Sequence, residues 1–359
     1  MVTPTVTPPA PDAAVTDAAP VAARRARRAW WRAPGLVALL VLVVVVAGLS
    51  LAVGAKSLPL GATWDAVVSY DATREADLII RELRVPRTLL ALVVGAALGM
   101  SGAVMQGVTR NPLADPGLLG INAGAALGVV SGIYFLGLAG IGATVWLALA
   151  GAAGAAVLVY GIGSAGRGGP TPVKLTIAGA ALTALFLSLT TALLLLDRAT
   201  LDQYRFWAVG SVTGRGLSIT LTLLPFFAVG ALLAFASSRA LDSMALGDDV
   251  ARSLGQRVGR ARALAFLAIV LLSGSATAAA GPIWFVGLIV AHIARSLTGG
   301  NHRWLLPYAA VIGAVLLTFC DVIGRVLARP GELEVGIVTA FLGGPLFIAF
   351  VRRKRIAEL

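Results

Sequence analysis

The segment from residue 84 to residue 120 decides the fold, because an uncharged stretch as long as a membrane helix lies between two ends of different chemistry. It begins Arg84-Val85-Pro86-Arg87, continues through Gly95-Ala96-Ala97-Leu98-Gly99 and Gln106, and ends Asn111-Pro112-Leu113-Ala114-Asp115-Pro116-Gly117-Leu118-Leu119-Gly120. Residues 88–109 carry no charge, and about 20 such residues cross a bilayer as a helix. We therefore predict a membrane helix with two arginines at one end and a polar, proline-broken elbow at the other.

The composition extends this interpretation to the whole chain. Hydrophobic residues make up 58% of the 359 residues and charged residues 13%, and the mean hydropathy of +0.89 is far above that of a soluble domain. We predict an all-α integral membrane protein with about ten transmembrane helices. The predicted spans are 36–55, 88–108, 118–138, 144–162, 175–196, 217–236, 262–280, 282–298, 305–328 and 336–351.

The net charge of +12 does not indicate nucleic-acid binding, because the basic residues flank the apolar spans. They cluster before the first span and after the last, at Arg24, Arg25, Arg27, Arg28, Arg32, Arg352, Arg353, Lys354 and Arg355. Cytoplasmic loops carry an excess of Lys and Arg, and such clusters contact anionic lipid. We predict a multi-pass protein of the cell (inner or plasma) membrane with both termini in the cytoplasm.

Two regions differ in composition. Residues 1–33 are rich in Pro and Ala and then in Arg, which predicts a disordered cytoplasmic tail. The membrane domain follows over residues 34–355. A secretory signal is the alternative for the first apolar run, but residues 36–55 are long for such a signal and no clear cleavage site follows.

Glycines recur at every fourth residue in two segments, at Gly95 and Gly99 and at Gly120, Gly124 and Gly128. Small residues let membrane helices approach closely, which stabilises packing where no hydrophobic drive exists. We interpret these glycines as packing surfaces within one subunit, with dimerisation as the alternative.

The longest predicted cytoplasmic loop contains a short amphipathic helix. Asp248 and Asp249 favour its start, because carboxylates stabilise the positive end of the helix dipole, and Gly255 is placed to end it. One face is apolar and consists of Leu246, Val250 and Leu254. The pattern fits a docking element for another protein and, equally well, a helix lying on lipid.

Several separate motifs, in matching order over about residues 36–355, resemble the FecCD-type permeases, the membrane subunits of ABC importers for iron–siderophore, haem and cobalamin. Two are the segments 84–120 and 246–255. The others read Gly281-Pro282-Ile283-Trp284-Phe285-Val286-Gly287 with His292 and Arg295 following, and Glu332-Leu333-Glu334-Val335-Gly336-Ile337-Val338-Thr339. Ala291 and Glu334 stand where the family usually has proline.

The resemblance implies the type II ABC importer architecture and a permease that takes up an iron–siderophore or related metal chelate. The implied partners are two ABC ATPase subunits, a second permease (identical or homologous), an extracytoplasmic binding protein that delivers the chelate, and membrane lipid. It implies no catalytic residue, metal site or cofactor in this chain, with ATP and Mg²⁺ on the ATPase subunits. The sequence also lacks the Gly-x4-Gly-Lys-Ser/Thr phosphate-binding motif.

The resemblance also assigns functional residues. The implied ATPase-coupling residues, in cytoplasmic helices near 240–256, are Leu246, Gly247, Asp248, Asp249, Ala251, Leu254 and Gly255. The implied binding-protein docking residues are Arg84, Arg87 and Arg325, and the implied cytoplasmic gate is Asn111, Pro112 and Leu113. The implied pathway-lining residues, on spans five and ten, are Thr183, Ser188, Thr190, Thr191 and Thr339.

Each assignment has a simpler alternative. Arginines at the membrane edge also snorkel to lipid headgroups, and Arg325 is expected to pair with Asp321 four residues earlier. The elbow also reads as a tight turn, and helical hydroxyls commonly bond their own helix. A rival function is a secondary transporter driven by an ion gradient, which needs membrane-embedded acids such as Asp321 or Asp115. An intramembrane enzyme has still less support than the secondary transporter, since no Ser/His/Asp set or paired carboxylates are predicted to converge at mid-membrane depth.

Overall fold

The computed structural model describes residues 18–54, 58–138, 140–166 and 170–357, and this part of the chain is helical without β-strands. Its α-helices, in chain order, are α1 (Ala18–Ala52), α2 (Leu60–Val68), α3 (Glu75–Leu78), α4 (Val85–Thr109), α5 (Ile121–Leu136), α6 (Ile141–Ser164), α7 (Pro172–Leu196), α8 (Arg198–Ala208), α9 (Leu217–Met244), α10 (Asp248–Ser253), α11 (Val258–Ala280), α12 (Val286–Thr298), α13 (His302–Leu327) and α14 (Val335–Ala357). A π-helical turn (Ile79–Arg84) joins α3 to α4, and a 3₁₀ turn (Pro116–Leu119) precedes α5.

Ten of these helices account for the ten predicted spans. Seven helical segments are long and apolar enough to cross a membrane: Trp30–Ala52, Glu75–Thr109, Ile141–Ser164, Pro172–Leu196, Leu217–Met244, Val258–Ala280 and His302–Leu327. Three shorter apolar helices, Ile121–Leu136, Val286–Thr298 and Val335–Ala349, lie at the remaining positions. The predicted all-α membrane fold is confirmed.

Helices α4 and α11 form the centre of the domain. In the most apolar 18-residue stretch of each of these helical segments, 78% is buried inside the protein. The corresponding share is 17% in α1 and in α7. Helix α4 packs on α13, α11, α12 and α9. The closest approach is to α13, where a Cβ at Gly95 would clash with the carbonyl oxygen of Gly313. The predicted close packing through glycine therefore occurs within the subunit.

Two breaks in the helices meet inside the domain. The 3₁₀ turn before α5 and the non-helical residues 281–285 before α12 lie side by side, since a Cβ on Gly117 would contact the ring of Trp284 at 3.0 Å. Nearby, the hydroxyl of Thr277 donates to Oδ1 of Asn122 at 2.8 Å. Irregular backbone is tolerated inside a membrane protein where other parts of the protein surround it. Both α5 and α12 consequently begin three or four residues later than the spans predicted from hydropathy.

The structure differs in part from the predicted tail of residues 1–33. Helix α1 begins at Ala18, so residues 18–33 are helical and run directly into the first span. Ala and Arg are among the strongest helix formers, and they dominate this stretch. Residues 1–17 lie outside the described residues.

Candidate functional site

The short helix α10 begins and ends where the sequence predicted. Gly247 precedes it with φ 114°, and Gly255 follows it with φ 79°. Positive φ values are readily adopted by glycine. The N–H of Gly255 donates to the carbonyl of Arg252 at 2.9 Å, which closes the helix.

Helix α10 has a buried side and an exposed apolar side. Ala251 is fully buried and packs in a small cluster with Met244, Val258 and Ala261. The opposite face is exposed to 66% at Leu246, 44% at Val250 and 61% at Leu254. The helix is thus anchored to the domain while presenting an apolar surface outward.

Asp248 and Asp249 have different surroundings. Asp248 accepts hydrogen bonds from Arg110, at the end of α4, and from Nη2 of Arg262, in α11, at 3.0 Å. Asp249 is almost fully exposed and pairs with Arg252 of the same helix at 2.6 Å. The sequence indicated both aspartates as helix-start residues but gave no signal for the partners of Asp248, since Arg110 lies 138 residues away.

The elbow after α4 is a tight turn. Oδ1 of Asn111 accepts from the N–H of Leu113 at 2.9 Å, and the carbonyl of Asn111 accepts from the N–H of Ala114 at 3.1 Å. Pro112 occupies the second position of this turn, where its fixed φ is favourable. Asn111 is exposed, and Pro112 and Leu113 are half-buried. The turn interpretation therefore fits the geometry, and the gate assigned to these residues stays a prediction.

The three arginines predicted to dock a binding protein, Arg84, Arg87 and Arg325, are buried and have partners inside the chain. Arg84 donates through Nη1 to the carbonyl oxygens of Leu51 and Ala52, at 2.6 and 2.8 Å. These are carbonyls of the last turn of α1, which lack partners within their helix. Arg84 thereby fastens the end of α1 to the start of α4.

Arg87 and Arg325 share one buried carboxylate. Arg87 binds Asp321 through Nη2 at 2.7 Å and Nε at 3.1 Å, and Arg325 also pairs with Asp321. The predicted pairing of Asp321 with Arg325 is confirmed. Arg325 further donates to the carbonyl of Ser50 at 2.8 Å. Two cations thus compensate the fully buried Asp321.

A cavity of about 530 Å³ opens beside this network. Nη1 of Arg87 binds Glu332 at 2.6 Å, and the Glu332 side chain is 29% exposed. Charged residues line the cavity: Glu82, Arg84, Arg87, Arg215, Arg325 and Glu332. Burial lowers the pKa of Arg215, and the carboxylate of Glu334 opposes that shift. Arg215 and Glu332 were not predicted as site residues, because they enter this cavity from loops distant in the sequence.

The predicted pathway residues fall into two groups by exposure. Ser188 and Thr191 lie on the exposed face of α7, whereas Thr190 and Thr339 are buried and Thr183 is half-buried. Most of the hydroxyls donate to carbonyls of their own helix, at 2.7 Å for Thr183, 2.9 Å for Ser188, 2.8 Å for Thr191 and 3.0 Å for Thr339. Their lining of a pathway stays a prediction.

The described residues contain no group of three His, Cys, Asp or Glu side chains that could hold a metal ion. His302 is instead a structural residue, because its Nδ1 lies 2.6 Å from Oδ1 of Asp242 and joins α13 to α9. Cys320, the one cysteine of the sequence, is buried in α13.

Relatives of this chain are permeases of iron-uptake systems. It is 45% identical to the ferric enterobactin transport system permease FepD of Escherichia coli (strain K12), covering 90% of this chain and 96% of that protein. It is 42% identical to the iron(3+)-hydroxamate import permease FhuB of Bacillus subtilis (strain 168), over 89% and 83% of the two chains. The hemin transport permease HmuU of Yersinia pestis is 37% identical, over 88% and 95%.

The fold and the sequence profile agree with these similarities. A solved metal-chelate type ABC transporter in an inward-facing conformation superposes with a TM-score of 0.79 at 30% identity, covering 89% of this chain and 98% of that chain. The profile of the FecCD transport family matches residues 40–353, which include α4, the elbow, α10 and the arginines Arg84, Arg87 and Arg325. The chain therefore belongs to the FecCD transport family.

Proposed function

We propose that this chain is the transmembrane permease of an ATP-driven importer that takes up a ferric siderophore or a related metal chelate. The match of residues 40–353 to the FecCD transport family carries the proposal. Relatives named for enterobactin, hydroxamate and hemin transport support iron chelates as the substrate class. Their variety leaves the particular chelate to the binding protein that delivers it.

At the inner end, helix α10 is the proposed contact with the ATPase. Its exposed leucines and valine form a compact apolar surface beside charged residues, which suits insertion into a cleft of a partner protein. Two ATPase subunits would bind ATP and Mg²⁺ and hydrolyse the nucleotide, and this chain would contribute movement alone. Both termini would lie on this cytoplasmic side of the cell membrane.

At the outer end, the arginine-lined cavity is the proposed docking position for the binding protein. Arg84 donates to backbone carbonyls of α1, and Arg325 binds Ser50 and Asp321 inside the domain. Arg87 also binds Asp321, but its Nη1 reaches the partly exposed Glu332, so we infer that an acidic group of a partner contacts Arg87. Glu332 already occupies that position and is partly exposed. We infer that a partner carboxylate replaces Glu332 on Arg87 when the binding protein docks.

A second permease, identical or homologous, would complete the translocation pathway along the exposed faces of α7 and α14. ATP binding and release would shift the pair between outward-open and inward-open arrangements. Asn111, Pro112 and Leu113 would narrow the pathway at its cytoplasmic end. The rival ion-driven transporter finds little support, because Asp321 is compensated by two arginines and is unsuited to exchange an ion.

Co-purification tests this proposal. The tagged full-length chain would be purified in mild detergent, and the proteins bound to it would be identified by mass spectrometry. We expect an ATPase with a phosphate-binding loop in about stoichiometric amount. A chain that is folded, stable and free of any ATPase would contradict the proposal.

A further inference from the structure

The carboxylate of Asp248 connects three helices: α10, the end of α4 and the start of α11. Asp248, the first residue of α10, binds Arg110 through Oδ1 and Arg262 through Oδ2. Arg110 ends α4 in a left-handed conformation (φ 51°) and directly precedes Asn111 of the elbow. Arg262 lies in the second turn of α11, and its side chain is 5% exposed.

The connection continues to α7. Nη1 of Arg262 donates to the carbonyl of Pro170, which lies two residues before α7 begins. Asp248 is thus linked through charge-assisted hydrogen bonds to the elbow and to the start of α7. Such bonds are directional and short, so they hold the groups in fixed relative positions. Apart from these hydrogen bonds, the buried contact of α10 with the domain is the packing of Ala251, whose side chain is a single methyl group.

The neighbouring aspartate provides an internal comparison. Asp249 carries the same charge one residue later, yet its partner Arg252 belongs to α10 itself. Two adjacent carboxylates therefore differ in one respect that matters here: Asp248 binds other helices, and Asp249 binds its own.

We propose that Asp248, with Arg110 and Arg262, is the link that converts displacement of α10 into movement of the elbow. The inference rests on the proposed function, in which a partner ATPase displaces α10. Because Arg110 and Asn111 are consecutive, a pull on the Arg110 side chain acts directly on the turn formed by Asn111, Pro112 and Leu113. Asp248 is a positioning residue, since it acts through Arg110.

The test uses the full-length chain in complex with the ATPase that co-purifies with it. Leu113→Cys places a thiol on the half-buried elbow, and the native Cys320 is 1% exposed and inaccessible. The rate of maleimide labelling would be measured with and without ATP and Mg²⁺. With Asp248 intact, we expect ATP to change the rate by about fivefold or more, the lower end of typical coupling between distant sites.

Asp248→Asn should abolish this ATP-dependent change while the complex still assembles and hydrolyses ATP. Asp202→Asn is the control, because it removes a carboxylate whose exposed partner Arg205 lies in its own helix α8. It should leave the change within about twofold of the unaltered chain, as expected for an exposed pair. Asp248→Glu should restore part of the response. A purely structural fastening would instead lower complex yield and ATP hydrolysis together.

Arg110→Gln removes the same ion pair from the Arg110 side. It replaces Asp248→Asn as the test variant if the complex with Asp248→Asn does not assemble. Combined with Asp248→Asn it should add no further loss, because both changes remove one interaction. An ATP response that survives either substitution would overturn the inference, as would an unresponsive elbow in the ATPase-bound chain with Asp248 intact. Absence of the ATPase from the unaltered chain would instead refute the proposed function.

Discussion

At the residue scale, this chain stabilises its buried charges by pairing them. Asp321 is fully buried, and Arg87 and Arg325 both bind it. A buried charge that loses its partner is strongly destabilising, because neither water nor an opposite charge compensates it. The network joins α4 to α13 and, through Ser50, to α1.

Asp321→Asn should therefore destabilise the domain. Two buried guanidinium groups would lose their carboxylate, and such losses amount to about 3–5 kcal/mol. The measurement is the thermal midpoint of the purified chain in detergent. Asp202→Asn is the control, since the Asp202–Arg205 pair is exposed at both residues and is worth about 1 kcal/mol or less. Equal midpoints for the two variants would show that the buried network is not stabilising.

The pairing of Arg87 with Glu332 leads to a prediction about docking. Glu332→Gln should tighten binding of an acidic binding protein about three- to tenfold, because the competing internal carboxylate is removed. Titration of the binding protein against the permease in nanodiscs at low salt measures this. Glu82→Gln is the control, because it removes a carboxylate from the same cavity while leaving the Arg87–Glu332 pair in place. Weaker binding with Glu332→Gln would mean that Glu332 assists docking.

At the element scale, packing between helices depends on which face a glycine occupies. In α6, a Cβ at Gly151 would clash with the carbonyl oxygen of Gly124 in α5, whereas a Cβ at Gly154 would meet no atom within 4 Å. Close backbone approach is the main source of helix association in lipid. Gly151 therefore sets the α5–α6 distance, and Gly154 does not.

Gly151→Ala should lower the thermal midpoint, with a loss of about 1–3 kcal/mol from overpacking. Gly154→Ala makes the same chemical change three residues later and should leave the midpoint unchanged or raise it, since alanine favours helix. Differential scanning fluorimetry in detergent compares the two. A smaller loss for Gly151→Ala than for Gly154→Ala would contradict the packing described here.

The apolar face of α10 leads to a prediction about assembly. Leu254→Asp should reduce the amount of ATPase that co-purifies by about tenfold, the loss expected from a buried interface residue. Ser253→Asp introduces the same carboxylate one residue away from that face and should retain most of the ATPase. If both variants bind the ATPase as the unaltered chain does, α10 is not its docking element.

Helix α10 also shows what sequence could and could not predict. Its start at Asp248, its end before Gly255 and its apolar face followed from local rules of helix capping and periodicity. The partners of Asp248 did not, because long-range ion pairs depend on how the helices assemble. The same holds for Glu332, whose pairing with Arg87 joins residues 245 positions apart.

At the scale of the whole molecule, the sequence predicted a membrane protein, its ten spans and its family. Each of these depends on length, composition or local motifs. It did not predict that the breaks before α5 and α12 meet inside the domain, since hydropathy reports burial and not backbone path. It predicted the pairing of Arg325 with Asp321 but not the internal partners of Arg84 and Arg87, which lie far away in the sequence.

Transport by the reconstituted complex tests the central claim most directly. Proteoliposomes would hold this chain with its ATPase, the binding protein on the opposite side, and radioactive iron supplied as ferric enterobactin, a ferric hydroxamate, ferric citrate or hemin. We predict that at least one chelate is taken up only when ATP and Mg²⁺ are present on the ATPase side. Uptake that proceeds without ATP and follows an imposed ion gradient would contradict the account.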